Sequence, residues 1–287
     1  MDNGRGWYGR PWRVALAAAS GCLVVASVVA PGSPPPAAPR TQQATSAGGA
    51  APQPVELPPH VPAALSRPTT VQGLGDSVPA AAACGCTSYV TQLAQQVSRA
   101  TAKPVAVANG ARNGLTSSDV LAQVTAGRLR ATPDRVTVIT IGANDFDQSA
   151  LSGPACTGNA QQCYGAELLT LRQNIDAILA ALLSGPGPHG PVLVTGYWNV
   201  FLDGDVGAAK GPDYVRDSDG LTRAVNAVLQ ASAQRHGLVY VDLYGPFKTS
   251  NAGNDTPLLA ADGDHPSASG HVLITTLLWN ALVSHTR

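Results

Sequence analysis

The stretch "TTVQGLGDSVPA", Thr69 to Ala80, is a glycine-rich turn between an apolar run and residues that suit a helix, and two readings compete for it. One is a cradle for a cofactor phosphate. A dinucleotide fingerprint needs G-x-G-x-x-G/A so that the chain can turn, approach the pyrophosphate and pack helix against strand. Gly73 and Gly75 fit, but Val78 stands at the third position, Asp76 would set a carboxylate near the phosphates, and no Walker lysine follows. No cofactor is therefore expected. The other reading is a pedestal for a nucleophile. Ser77 lies just past the apolar run, where a helix N-terminus presents unpaired backbone N–H groups to a developing oxyanion. The G-x-S-x-G elbow is absent, because Pro79 occupies its last position.

Working outward, apolar segments alternate in type along the chain, which is the signature of an α/β layer fold. Strands are expected at Thr70–Leu74, Pro104–Ala108, Arg135–Ile141, Pro191–Gly196 and Leu238–Leu243. Between them run helical spacings. Leu168, Leu171, Ile175, Ile178 and Leu182 recur at three and four residues, one apolar stripe on a helix. Leu221, Val225, Val228 and Leu229 repeat the pattern, as do Val272, Leu277, Leu278 and Leu282. "TSSD", Thr116 to Asp119, supplies N-cap oxygens before a helix through Val124. "VTVITIG" is apolar or threonine on both faces, as a central strand covered by helices should be. The expectation is a parallel sheet with helices on both faces, whose ligands bind beyond the carboxyl ends of the strands.

Two strand ends supply what a serine hydroxyl lacks. It is a poor nucleophile until a base takes its proton, and its oxyanion needs preorganised donors. "TIGANDF" puts Asn144 directly after the central strand, where its amide can donate. "ADGDHPSASGH" puts Asp262 three residues before His265, a spacing at which a carboxylate can orient an imidazole on the same turn. Acidification through the titration of His265 should then abolish turnover, and a rate independent of pH from about 5 to 8 would count against that role.

Gly75-Asp76-Ser77-Val78, Gly114 within "ARNGLTSSDVL", Gly142-Ala143-Asn144-Asp145 and Asp262-Gly263-Asp264-His265 resemble, in order, the four sequence blocks of the SGNH (GDSL-type) hydrolases. The resemblance covers residues 69 to 287. It implies a flavodoxin-like three-layer α/β/α sandwich on a five-stranded parallel sheet. It also implies Ser77 as nucleophile, His265 as general base and acid, and Asp262 as its orienting carboxylate. The implied oxyanion hole is the backbone N–H of Ser77, the backbone N–H of Gly114 and the side chain of Asn144. Valine at 78 replaces the family's leucine. Gly110 competes with Gly114 for the second block, and Gly114 is preferred because it precedes the capping "TSSD". Ester substrates follow from the resemblance: lipids, small acyl esters or acetylated sugars. An acyltransferase on the same triad is the nearest alternative, and an inert wall-associated binding module the alternative from another class.

The N-terminus reads as an export signal or an uncleaved anchor. Arg5, Arg10 and Arg13 precede an apolar run, Val14 to Ala30, followed by a proline-rich linker over residues 31–68. An exported monomer, with a membrane tether through residues 14–30 where the anchor is kept, is the expectation. The first 68 residues carry five Lys+Arg and two Asp+Glu, and without them 13 basic side chains face 16 acidic ones. With no basic run, nucleic acid is not an expected partner. Cys84, Cys86, Cys156 and Cys163 point to disulfides in an oxidising compartment. Cys156 with Cys163 is a local pairing, Cys84 with Cys86 closes a tight ring, and crossed pairing is the rival. Trp198 and Phe201, just after the fourth strand, are candidates for the substrate pocket. Asp262, Asp264, His265 and His271 have the right types for a metal set, but no H-E-x-x-H or comparable frame holds them and a metal leaves Ser77 and Asn144 without a role. Asp264 reads as loop structure, His271 as a helix-surface residue, Asp145 as a cap, and Asp203 and Asp205 as solvated turn residues.

Overall fold

The computed structural model of the protein describes residues 65, 67–127, 129–152 and 159–285. The expected export segment, nearly all of the linker, and Cys156 lie outside the described residues. Five parallel strands form one sheet in the order β2-β1-β3-β4-β5: β1 (Thr70–Gly75), β2 (Ala106–Asn109), β3 (Arg135–Thr140), β4 (Val192–Thr195) and β5 (Val239–Val241). Thr70 pairs with Ala106 on one side and Arg135 on the other, Thr137 with Val192, and Leu193 with Val239. All five expected strands are present, with no end shifted by more than two residues. β1, β3 and β4 are buried along almost their whole length, as strands covered on both faces must be. β2 and β5 are the edge strands, and Val107 of β2 is 42% exposed.

After β1 the chain crosses to β2 on one side and then returns to β3 on the other. Strand order therefore reverses between β1 and β3, and their carboxyl ends open the crevice in which such sheets bind ligands. Ser77 follows β1 and Asn144 follows β3, so sheet topology alone brings the two to one place.

The helices are α1 (Ser77–Ala80), α2 (Tyr89–Thr101), α3 (Ser117–Thr125), α4 (Ala160–Leu183), α5 (Gly204–Ala208), α6 (Pro212–Arg235), α7 (Tyr244–Thr249) and α8 (Ala268–His285). α2 packs on α8, while α3 and α6 each pack on α4. The stripe Leu168, Leu171, Ile175, Ile178 and Leu182 is buried on α4 as its spacing predicts. α3 starts where the capping residues place it. Thr116 accepts the Asp119 N–H, and the Asp119 carboxylate accepts the Thr116 N–H, a complete capping box. No helix among the described residues is long and apolar enough to cross a membrane.

Two expectations are corrected here. On α8 the buried face runs through His271, Ile274, Leu278 and Leu282, while Val272 and Leu277 are only half-buried. This helix is apolar on nearly every side, so its periodicity does not select a face, and contact with α2 does. Asp203 is not a solvated turn residue. It is buried and ion-paired to Lys248, whose ammonium also lies 3.0 Å from Asp255. Burial pushes the Asp203 carboxyl up to about 6, with Asp255 adding to the rise and the ammonium opposing it. Asp205 is exposed, as expected.

Candidate active site

β1 runs against β3 to its last residue because that residue is glycine. Gly75 has φ +136°, and a Cβ there would lie 1.7 Å from the Thr140 carbonyl oxygen. Asp76 then caps α1, accepting the Val78 N–H at 2.9 Å and the hydroxyl proton of Tyr197. Burial pushes the Asp76 carboxyl up to about 6, against the pull of those two hydrogen bonds. Tyr197 is itself fixed by its backbone: its N–H donates to Asn226 Oδ1 at 2.8 Å, and its carbonyl accepts from Asn226 Nδ2 at 2.7 Å. The exit of β4 and the middle of α6 thus hold the turn that presents Ser77. Tyr197 and Asn226 carry no signal in the sequence, because each acts through a contact more than a hundred or nearly thirty residues away.

Ser77 is 8% exposed, and its Oγ lies 2.7 Å from His265 Nε2. On the other side of the ring, Nδ1 meets Asp262 Oδ2 at 2.9 Å, while Asp262 Oδ1 accepts the His265 backbone N–H at 3.2 Å. One carboxylate therefore fixes both the ring and its backbone. The serine, imidazole and carboxylate form a line along which a proton can pass from Oγ to Nε2 while Nδ1–H stays on the aspartate.

Asp264, read as loop structure, belongs to this arrangement. Its Oδ1 also lies 2.9 Å from Nδ1, but off the line of the N–H, so the hydrogen bond runs to Asp262 and this buried oxygen is left without one. The adjacency of an acidic residue to the histidine was the visible signal. Its meaning depended on a turn that swings both carboxylates to one edge of the ring. Contact with Asp264, opposed by burial and reinforced by Asp262, pushes the imidazole up to about 9. A raised histidine pKa means that the free base, the form able to accept the serine proton, gains as pH rises toward 9 and is scarce below the ordinary 6.5. The acid limb of kcat/KM is therefore expected above pH 6.5. Asp264→Asn should move that limb down by about one pH unit by removing one charge that favours the imidazolium. A limb unmoved by the substitution, measured from about pH 5 to 10, would remove Asp264 from this account.

The loops after β2 and β3 are joined directly. Asn144 sits in a 3-10 turn (Ala143–Asp145) and donates one amide hydrogen to the Leu115 carbonyl at 3.0 Å. Its second amide hydrogen is uncommitted among the described residues, and the side chain is exposed. Asp145 accepts both the Ser117 N–H, at 2.9 Å, and the Ser117 hydroxyl. It does cap a helix, but one from a distant part of the chain, and so pins the Asn144 turn to the start of α3. Of the two glycines near the second block, Gly110 gives its N–H to the Gly73 carbonyl at 2.9 Å, extending the β2–β1 pairing. Gly114 makes no such bond among the described residues, so its N–H is the uncommitted one of the two.

Trp198 and Phe201 are corrected. Both have 0% exposure, so neither lines an open pocket. Trp198 stacks on Phe247 with ring centroids 4.6 Å apart, and Phe201 meets Phe146 edge-on at 6.0 Å. The chain turns inward after β4, and these large apolar side chains fill the space beneath the loop. His271 is also corrected. It is fully buried, and its ring groups with Cys84 and Cys86 rather than with the Asp262, Asp264 and His265 donors. Cys84 and Cys86 are bonded to each other, and Cys163 is disulfide-bonded as well.

The family model for GDSL-like lipases and acylhydrolases matches residues 73–273. No curated protein matches the chain. Among solved structures, lipase Lip_vut3 from a goat rumen metagenome aligns with a TM-score of 0.56 at 18% identity, over 76% of this chain and 99% of its own. Phospholipase A1 from Streptomyces albidoflavus NA297 aligns at 0.54 and 22% identity, over 75% and 99%. A single-residue variant of Axe2, an acetyl xylan esterase from Geobacillus stearothermophilus, aligns at 0.51 and 17%, over 75% and 94%. These likenesses carry the fold, and the family match spans all four sequence blocks from Gly75 to His265: the chain belongs to the GDSL-like lipase/acylhydrolase family and is a carboxylic ester hydrolase.

Proposed function

We propose that the protein is an exported, monomeric serine esterase in which residues 69–287 form the catalytic domain, Ser77 is the nucleophile, His265 the general base and acid, and Asp262 the carboxylate that orients it. The observation that carries the reading is the unbroken line from Ser77 Oγ to His265 Nε2, 2.7 Å, and from His265 Nδ1 to Asp262 Oδ2, 2.9 Å. As Ser77 Oγ attacks the ester carbonyl, its proton passes to Nε2. The oxyanion is received by the N–H groups of Ser77 and Gly114 and by the free amide hydrogen of Asn144. Collapse of the tetrahedral intermediate sends the Nε2 proton to the leaving alcohol and leaves an acyl-serine. Water then gives its proton to Nε2 and attacks the same carbon; the bond from that carbon to Oγ breaks, Oγ takes back the Nε2 proton, and the acid leaves. The residues before 69 serve export and spacing, through a cleaved signal or a retained tether.

The substrates are small acyl, lipid or acetylated-sugar esters, a range that takes in the activities for which the structurally similar lipase, phospholipase and acetyl xylan esterase are named. The test is hydrolysis of p-nitrophenyl esters from acetate to palmitate by the purified protein, combined with labelling by a fluorophosphonate. Turnover with a single phosphonyl adduct on the Ser77 peptide is the expected result, and the chain-length profile defines the acyl pocket. An adduct on Ser77 with acyl transfer to added alcohols far outrunning hydrolysis would assign a transferase. Neither adduct nor turnover from folded protein would leave a binding module.

A further inference from the structure

The loop between α1 and α2 carries Cys84-Gly85-Cys86 closed into a ring, with Cα atoms 5.1 Å apart and Gly85 at φ +57°. Three observations set this bridge apart from a structural staple. Only one residue separates the cysteines, and cross-linking restricts an unfolded chain least when the loop it closes is shortest. Gly85 is exposed and both cysteines are half-exposed, so a thiolate can approach the sulfurs from solvent. The third observation is His271 on α8, whose ring lies against the bridge: one ring nitrogen and both sulfurs fall within 4.8 Å of one another.

The state of that imidazole decides what the cluster can do. Nδ1 accepts the Tyr89 N–H at 3.3 Å, so the ring proton resides on Nε2. Nε2 is buried and has no partner among the described residues. A metal ligand would need the lone pair of Nε2 and a proton on Nδ1, which would then face the Tyr89 N–H donor to donor. The cluster is therefore ill suited to a cation and suited to an anion. Burial, with the nearby His265 charge adding, holds His271 down to about 4, so the ring is a neutral donor across the working pH range. His265 is the titratable group that acts on it, and Tyr89, packed at 5.9 Å between ring centroids, stays un-ionised because burial raises its hydroxyl well above its ordinary value.

We propose that Cys84–Cys86 is an exchangeable disulfide, a thiol-reactive site separate from the ester chemistry, in which the Nε2–H of His271 receives the cysteine thiolate released when the bridge opens. The partner is a thiol of the glutathione or dithiol class. Its thiolate attacks one sulfur, the S–S bond breaks, and the other cysteine leaves as a thiolate. A second thiolate attacks the mixed disulfide, so that two electrons pass to the protein and the partner departs as its own disulfide. In the reverse direction the reduced pair passes its two electrons to a partner disulfide, releasing two thiols, and the bridge closes again. A buried N–H without an acceptor is costly while the bridge is closed; a thiolate released beside this ring offers it one, and that pairing would favour opening and lower the thiol pKa.

The test equilibrates the full chain with reduced and oxidised glutathione, quenches with iodoacetamide, and reads each cysteine by peptide mass spectrometry. Cys84 and Cys86 should be alkylated at glutathione ratios that leave Cys163, disulfide-bonded in the same molecule, unlabelled. The reduced pair should react at pH 7 about tenfold faster than in His271→Leu, since one pKa unit is worth a factor of about ten in thiolate. Where that variant does not fold, the parent's own rate against pH replaces it: an inflection below about 8 supports the proposal, and one at the ordinary thiol value of about 8.5 overturns it. A bridge that stays closed until Cys163 is reduced also overturns it.

Discussion

Ser77→Ala is expected to lower kcat on p-nitrophenyl acetate by on the order of 10⁶-fold while leaving the fold intact. The size follows from what the residue does alone. Removing Oγ deletes the atom that bonds to the acyl carbon, and nothing else at the site can replace it. Oxyanion donors and substrate binding survive, which leaves a residual acceleration of about 10³ to 10⁴ over water. Stability should scarcely change. The Oγ makes one side-chain bond, to His265 Nε2, and alanine suits the first position of α1, where Asp76 supplies the cap. Thermal unfolding of both proteins gives that control. Activity within about tenfold of the parent, in a Ser77→Ala preparation free of contaminating esterase, would mean a different nucleophile.

The second large effect is expected from the two carboxylates together. A single buried aspartate behind a catalytic histidine is worth about 10⁴ in kcat when replaced by asparagine, because the ring takes the wrong tautomer. Here the loss should divide. Asp262→Asn alone leaves Asp264 Oδ1 at 2.9 Å from Nδ1, able to swing onto the N–H and keep the proton there. A loss of about 10² is expected for that variant, smaller than the single-carboxylate value because an acceptor remains. The double variant, Asp262→Asn with Asp264→Asn, should lose the full factor of about 10⁴. The two substitutions are then strongly non-additive, as contacts to one shared group are. Rates of the four proteins on the plateau above the imidazole's raised value of about 9, where the ring is free to act as base, measure this with little interference from titration. A full loss from Asp262→Asn alone would show that Asp264 cannot take over, leaving it only a charge effect on the imidazole.

The sequence by itself determined the architecture and named the residues to which the chemistry is proposed. Alternating strand and helix patterns gave the sheet, because apolar periodicity is a local property that burial on two faces imposes on each segment. Gly75, Ser77, Asn144, Asp262 and His265 were legible for a related reason. Each stands at a strand end or helix start, where a short motif fixes the backbone. Tertiary structure alone decided the contacts that cross the chain. Whether Trp198 and Phe201 faced substrate or core turned on the path of the loop after β4, which their apolar character does not reveal. The face of α8 turned on α2, since a helix apolar on all sides has no preferred side until a neighbour covers one. Asp264 reached the imidazole, Tyr197 reached Asp76, and His271 reached the Cys84–Cys86 bridge through side chains whose direction is set by packing. Local pattern fixes which residues are available at the carboxyl ends of the strands. Only the closed, packed fold fixes which polar atoms face one another once water has been removed from between them.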